Sequence, residues 1–195
     1  MLQAIRYNLA NLTRFSGRDR RQTFWLYVLV LVILQAIVSF AVSVPLMGAM
    51  MGEAFEAARE GASEAQMQSR ILAKASGSVE ISTWVSAISS LLLIGLLAAS
   101  FTRRLHDSSK PGWIAAIAAL LQLASIAIAI AGIDQATQIV LAAQTGDLET
   151  LQEMQRQVAL QGMIGWLPLL IVLVFGLFPS TPGDNRYGEE PAPGL

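Results

Sequence analysis

Four stretches of the chain, residues 22–52, 81–102, 111–133 and 157–183, contain no charged residue and are filled mainly with Leu, Ile, Val, Ala and Phe. At about 1.5 Å of rise per residue, each is long enough to cross a hydrocarbon core of about 30 Å. There the backbone must satisfy its hydrogen bonds inside its own helix. The pattern predicts an all-α polytopic membrane protein. Its four transmembrane helices fall at residues 24–47, 81–102, 113–132 and 163–178, within one membrane domain covering residues 1–195.

The stretches between them are polar in distinct ways. Over residues 2–13, Leu2, Ile5, Leu9 and Leu12 recur at helical spacing opposite Gln3, Arg6, Asn8 and Asn11, which predicts an amphipathic helix lying on the membrane surface. Gly17 supplies a turn after it. Ser16 with Asp19 reads as a capping box opening a helix that runs through Trp25 into the first span. Residues 53–80 and 134–162 are two excursions rich in Ala, Glu and Gln, expected to be helical, to lie outside the lipid and to pack on one another. The acidic side chains Glu53, Glu56, Glu60 and Glu64 read as a solvated face. In the second excursion Leu148, Leu151, Met154 and Val158 form one stripe, with Asp147 and Glu149 at the N-terminal end favoured by the helix dipole.

Composition agrees: 54% of residues are hydrophobic and 14% charged, too apolar for an ordinary soluble domain of this size. The absence of cysteine removes disulfides, thiolate catalysis and cysteine-ligated metal, and a net charge of -1 offers no basic field for nucleic acid. The first span is far longer than the apolar region of a cleaved signal, so it reads as an uncleaved anchor. No cofactor is implied.

Orientation follows from the Lys and Arg count. Arg6, Arg14, Arg18, Arg20 and Arg21 precede the first span, Arg103, Arg104 and Lys110 lie between the second and third, and Arg186 follows the fourth. Only Arg59, Arg70, Lys74 and Arg156 lie in the excursions, so both termini and the central hairpin are expected on the cytoplasmic side. Trp25, Trp84, Trp113 and Trp166 each stand near the start of a span, where an indole favours the lipid boundary.

Three motifs carry a family resemblance. They are Phe15, Gly17, Arg18, Arg21, Phe24 and Trp25 on the approach to the first span, the hairpin run Arg103 to Asp107 with Gly112 and Trp113, and the closing Asn185 to Gly188. In this order they resemble the bacterial inner-membrane family catalogued as domain of unknown function 805. The resemblance implies a small multi-span protein of the bacterial cytoplasmic membrane with no established activity. The chain departs from the pattern with Lys110-Pro111 before Gly112 and in its two long excursions.

The candidate chemistry is the polar set expected at one interface: Arg18, Arg21, Arg103, Arg104, His106, Asp107, Lys110, Asp184, Asn185 and Arg186. Arginine forks and a lysine suit phosphate oxygens, which makes anionic lipid headgroups or another phosphorylated ligand the expected partner. A structural reading stands beside it. Arg103 and Asp107 are spaced to pair along one helix face, Asp184 can pair with an arginine elsewhere, and span-flanking arginines set topology. A homo-oligomer or a membrane protein partner is compatible with either. The alternative is a membrane enzyme or transporter component acting through His106 and Asp107. No catalytic motif accompanies that pair, and no span holds an ionisable residue of the kind proton relays use. Gln35 and Gln122 are amides at mid-depth, expected to bond across helices.

Overall fold

The computed structural model describes residues 2–135, 138–139, 142 and 148–191. These residues form α1 (Leu2–Ala10), α2 (Arg21–Arg59), α3 (Glu64–Asp107), α4 (Trp113–Ala131) and α5 (Leu148–Leu177). Among them there is no strand, and four of the helices are long and apolar enough to cross a membrane. The second and third, of 39 and 44 residues, far exceed the roughly 20 residues a bilayer core requires. Each continues unbroken from a predicted span into the first excursion. Pro45 and Pro168 sit inside helices that do not end there, as membrane helices tolerate when neighbouring groups satisfy the freed carbonyl.

The turn between α2 and α3 explains where that excursion folds back. Gly61 adopts a positive φ of 69°. Ser63 and Gln66 then form a reciprocal capping box, Ser63 N donating to the Gln66 Oε1 at 3.0 Å and Gln66 N to the Ser63 Oγ at 3.3 Å. Arg70 pairs with Glu60 across this turn, exposed to solvent.

The chain divides into two compact units. One gathers Met1–Gln35, Ser90–Ser125 and Met163–Leu195, and the other gathers Ala36–Ser89 and Ile126–Gly162. The second unit therefore holds both polar excursions, and the Gln135 amide reaches Gln157 within it at 2.9 Å. Of the stripe expected there, Asp147 and the side chains of residues 148–151 lie outside the described residues. Met154 is half-buried and Val158 is exposed.

The first unit carries the core: Phe24, Phe101, Leu105, Ala115 and Ala118, flanked by Trp25, Val28, Leu97, Ile171, Val172 and Phe175. Glycine lets α5 meet α2 here. A Cβ at Gly176 would stand 2.8 Å from Phe24 Cε1 and 3.0 Å from Trp25 Cζ2, while the Gly176 carbonyl accepts the Trp25 indole N–H at 3.1 Å. Gly176→Ala is expected to cost about 1–3 kcal/mol through overpacking, seen as a lower melting midpoint in detergent with the helix content kept. Outward, the helices of this unit present Leu29, Ile33, Leu92, Leu120, Leu169 and Leu170, a surface suited to lipid.

Two expectations are corrected. Ser16 and Asp19 do not cap a helix, because α2 begins at Arg21 and Asp19 is drawn into a buried pairing with Arg103. The first helix is present but shorter than residues 2–13, and its protein-facing side is small and polar. Ala4 and Asn8 are buried whereas Leu2 and Leu9 are exposed.

Candidate functional site

The first unit brings four polar segments together: the chain before α2, the C-terminal end of α3, the hairpin after it, and the tail after α5. Their arginines do most of the joining. Arg103 donates from Nε to the Asp19 Oδ1 at 2.9 Å, from Nη1 to the carbonyls of Asn11 and Arg14, and from Nη2 to the Asn8 Oδ1 at 2.8 Å. Its guanidinium also lies 5.5 Å from the Tyr7 ring centroid. One side chain of α3 thereby ties down α1 and the segment that follows it. Asp19 accepts in addition from the Ser100 hydroxyl at 3.3 Å, and its own amide donates to the Arg103 carbonyl at 3.1 Å.

Asp107 is the second centre. Its Oδ1 accepts from Arg18 Nε at 3.2 Å and Nη2 at 3.1 Å, and its Oδ2 accepts from Arg104 Nη1 and the Ser180 hydroxyl. Arg18 spends its remaining N–H groups on the tail, donating to the carbonyls of Thr181 and Gly183 at 2.6 Å each. Arg104 donates to the carbonyls of Gly176 at 3.1 Å and Phe178, the C-terminal end of α5. These are orphan carbonyls that no helical N–H can reach, and a cation there complements the dipole. Burial disfavours the charge on Arg104 and pulls its pKa down, while Asp107 opposes that pull. Arg18, Arg103, Arg104, Asp19 and Asp107 are all buried, and among the described residues no buried side-chain nitrogen or oxygen lacks a partner.

These motif residues lie within a stretch that a family model recognises. The model described as "Protein of unknown function (DUF805)" matches residues 12–189. The chain belongs to the DUF805 family. No curated protein and no solved structure matches it.

In this DUF805 protein the hairpin and tail are built on one another. α3 ends in a Schellman motif, with Lys110 N donating to the Leu105 carbonyl at 2.8 Å and Ser109 N to the His106 carbonyl at 3.0 Å. Ser109 holds the left-handed φ of 56°. The tail adds to this cap: Thr181 N and Oγ1 both donate to the Asp107 carbonyl at 2.9 Å, and Asn185 Nδ2 is a second donor to the His106 carbonyl at 3.0 Å. Asn185 and Gly188 bridge to each other and close the turn, which Gly188 allows with a φ of 135°.

His106 is committed to this packing. Its Nδ1 faces the Gly17 carbonyl at 3.2 Å, so Nδ1 carries the proton in the neutral ring. The imidazole stacks on Tyr187 with centroids 3.9 Å apart and planes at 6°. A Cβ at Gly112 would meet Thr102 Cγ2 at 2.8 Å and His106 Nε2 at 3.1 Å, so only glycine fits beside the ring. Burial lowers the His106 pKa, the Gly17 carbonyl pushes it up and Arg186 lowers it again. The folded protein thus takes up this proton less readily than the unfolded chain. The stabilisation is complete above the ordinary histidine value of 6.5 and declines as pH falls below it. Melting midpoints measured from pH 7.5 to 5.5 are expected to fall, and to fall less in His106→Gln.

The sequence-predicted residues therefore separate into two groups. Arg18, Arg103, Arg104, His106, Asp107 and Asn185 meet in one network, while Arg21, Asp184 and Arg186 are exposed. Lys110 is half-buried, its ammonium 5.3 Å from the Phe178 centroid, and Arg186 lies 4.6 Å from the Tyr187 centroid. The expected Arg103–Asp107 pair is replaced: Arg103 binds Asp19, and Asp107 binds Arg18 and Arg104. Asp184 accepts the Glu190 amide at 3.2 Å. The sequence pattern does not mark Asn8, Asp19, Gly176, Ser180 or Thr181 as members of this network. The run 179–183, with Pro179, Pro182 and Gly183, held a signal for the last two, because a non-helical chain at a helix end leaves carbonyls that require outside donors.

Proposed function

We propose that this protein is a non-catalytic, multi-pass component of the bacterial cytoplasmic membrane, with both termini and the central hairpin on the cytoplasmic side. Its buried arginines act as a clasp that shapes this face, and its exposed cations engage anionic lipid headgroups. The observation that carries this reading is the use of three buried guanidiniums on carbonyls and carboxylates of the protein itself. Arg14, Arg21 and Arg186 surround that clasp and are exposed. Leu2, Leu9 and Phe15 expose apolar side chains on the same N-terminal segment, an arrangement that suits a segment resting at the headgroup level.

Native mass spectrometry of protein extracted with its lipids tests this division of labour. At about 1 kcal/mol per cation near an anionic surface, Arg21→Ala and Arg186→Ala are each expected to lower anionic-lipid affinity about fivefold with the melting midpoint retained. Arg104→Ala is expected to lower the midpoint. Loss of anionic lipid in Arg104→Ala at unchanged stability would overturn the assignment.

A further inference from the structure

A polar cavity of about 360 Å³ opens in the first unit beside the start of α2, lined in part by Arg20, Arg21, Asp107, Ser180, Glu190 and Pro191. It stands where the uncharged stretch 22–52 begins and α5 has just ended, the level at which headgroups meet the hydrocarbon core. Its volume falls within the range of about 300–1,000 Å³ typical of small-molecule sites.

Both signs of charge line this cavity without meeting. Arg20 donates from Nε to the Pro191 carbonyl at 2.6 Å, and neither of its Nη groups has an acceptor among the described residues. Arg21 makes no hydrogen bond or ion pair among them, and its charge disfavours that of the buried Arg104. Glu190 accepts the Gly183 amide on Oε2 at 2.7 Å and pairs with no cation among the described residues. Asp107 is already balanced by Arg18 and Arg104. Two guanidiniums and one carboxylate therefore face a shared space with no counter-charge of their own.

Resting on the assignment of this face to the headgroup level, we propose that the cavity holds the headgroup of a zwitterionic phospholipid with a primary amine, of the phosphatidylethanolamine class. The phosphate lies toward Arg20 and Arg21 and the ammonium toward Glu190. Guanidinium forks match phosphate oxygens, and an ammonium brings three N–H donors to the Glu190 Oε1 that the Gly183 amide leaves open. A choline headgroup has no N–H to offer that oxygen. A glycerol headgroup has hydroxyls but no cation to balance Glu190, so it satisfies the arginines alone.

The test uses the full chain in nanodiscs of phosphatidylcholine doped with equal amounts of phosphatidylethanolamine and phosphatidylglycerol, all with the same acyl chains, read by native mass spectrometry. One phosphatidylethanolamine per chain is expected to be retained in preference to phosphatidylcholine. Glu190→Gln keeps an acceptor for the Gly183 amide and loses the charge. It is expected to shift the retained lipid about two- to fivefold from phosphatidylethanolamine toward phosphatidylglycerol, with an unchanged melting midpoint. Arg21→Gln is expected to lower phosphatidylethanolamine retention about three- to fivefold. Equal retention of phosphatidylethanolamine and phosphatidylcholine, or a wild-type lipid ratio in Glu190→Gln, would overturn the proposal. So would displacement of the lipid by an equal concentration of glycerophosphoethanolamine, which would assign the site to a soluble ester. Arg186 does not line the cavity, so anionic-lipid affinity unchanged by Arg186→Ala contradicts the broader headgroup role alone, whereas a wild-type ratio in Glu190→Gln contradicts the selectivity alone.

Discussion

Asp107→Ala is expected to be the most damaging single substitution in the protein. It leaves two guanidiniums, Arg18 and Arg104, buried without the carboxylate that both contact. Removing one partner of a buried pair costs about 3–5 kcal/mol, and with two arginines stranded the loss belongs at the upper end of that range. Against a total stability of about 5–15 kcal/mol this is a large fraction, so the folded yield in detergent should collapse or the melting midpoint fall steeply. Asp107→Asn should come close to the same result, because its amide nitrogen presents donors to donors.

A compensated variant separates the charge from the packing. Replacing Asp107 with Leu and both Arg18 and Arg104 with Met removes the three charges together, a change that is often neutral or stabilising elsewhere. Here the carbonyls of Phe178, Thr181 and Gly183 also lose their arginine donors, while that of Gly176 keeps the Trp25 indole. The helical core is therefore expected to recover much of its melting midpoint, while the tail from residue 179 becomes sensitive to protease.

The second large effect is expected from Arg103→Met. Asp19 is left as a buried carboxylate with the Ser100 hydroxyl as a remaining partner, the Arg14 carbonyl loses its guanidinium donor, and the Asn11 carbonyl keeps the Arg14 N–H but loses the guanidinium. A cost of about 3–5 kcal/mol follows from the stranded charge. Its distinctive sign is local: residues 2–20 should exchange amide hydrogens faster and be cut by protease before the four long helices unfold. Asp19→Ala should give the same pattern, since it strands the arginine instead. The Asp107 variants should expose the tail first, so the two halves of the network are distinguishable by where protection is lost.

Much of this architecture could be read from the chain because uncharged length is a direct requirement of crossing a bilayer. The stretches 22–52, 81–102, 111–133 and 157–183 each fall within, or largely within, one long helix. The gathering of Arg18, His106 and Asn185 was also legible, since spans that return the chain to one side place their flanking segments together. The pairing within that gathering was not. Ser16 and Asp19 have the spacing of a capping box, yet Ser63 and Gln66 form the real one, because Asp19 finds Arg103 across 84 positions. Arg103 and Asp107 have the spacing of a helical ion pair, but each meets a better partner brought by another segment. The carbonyl acceptors of Asn11, Gly176 and Thr181 left no mark on residue type, because every residue carries such a group.

The buried network holds the hairpin after α3 and the tail after α5 face to face. The Ser109 and Thr181 hydroxyl oxygens stand 3.3 Å apart, and the sequence contains no cysteine to compete. In native membranes, mild oxidation of Ser109→Cys, Thr181→Cys is expected to form an intramolecular disulfide in most chains. Fragments cut between positions 109 and 181 would then stay joined until reduced. Fragments that separate without reductant would contradict the account.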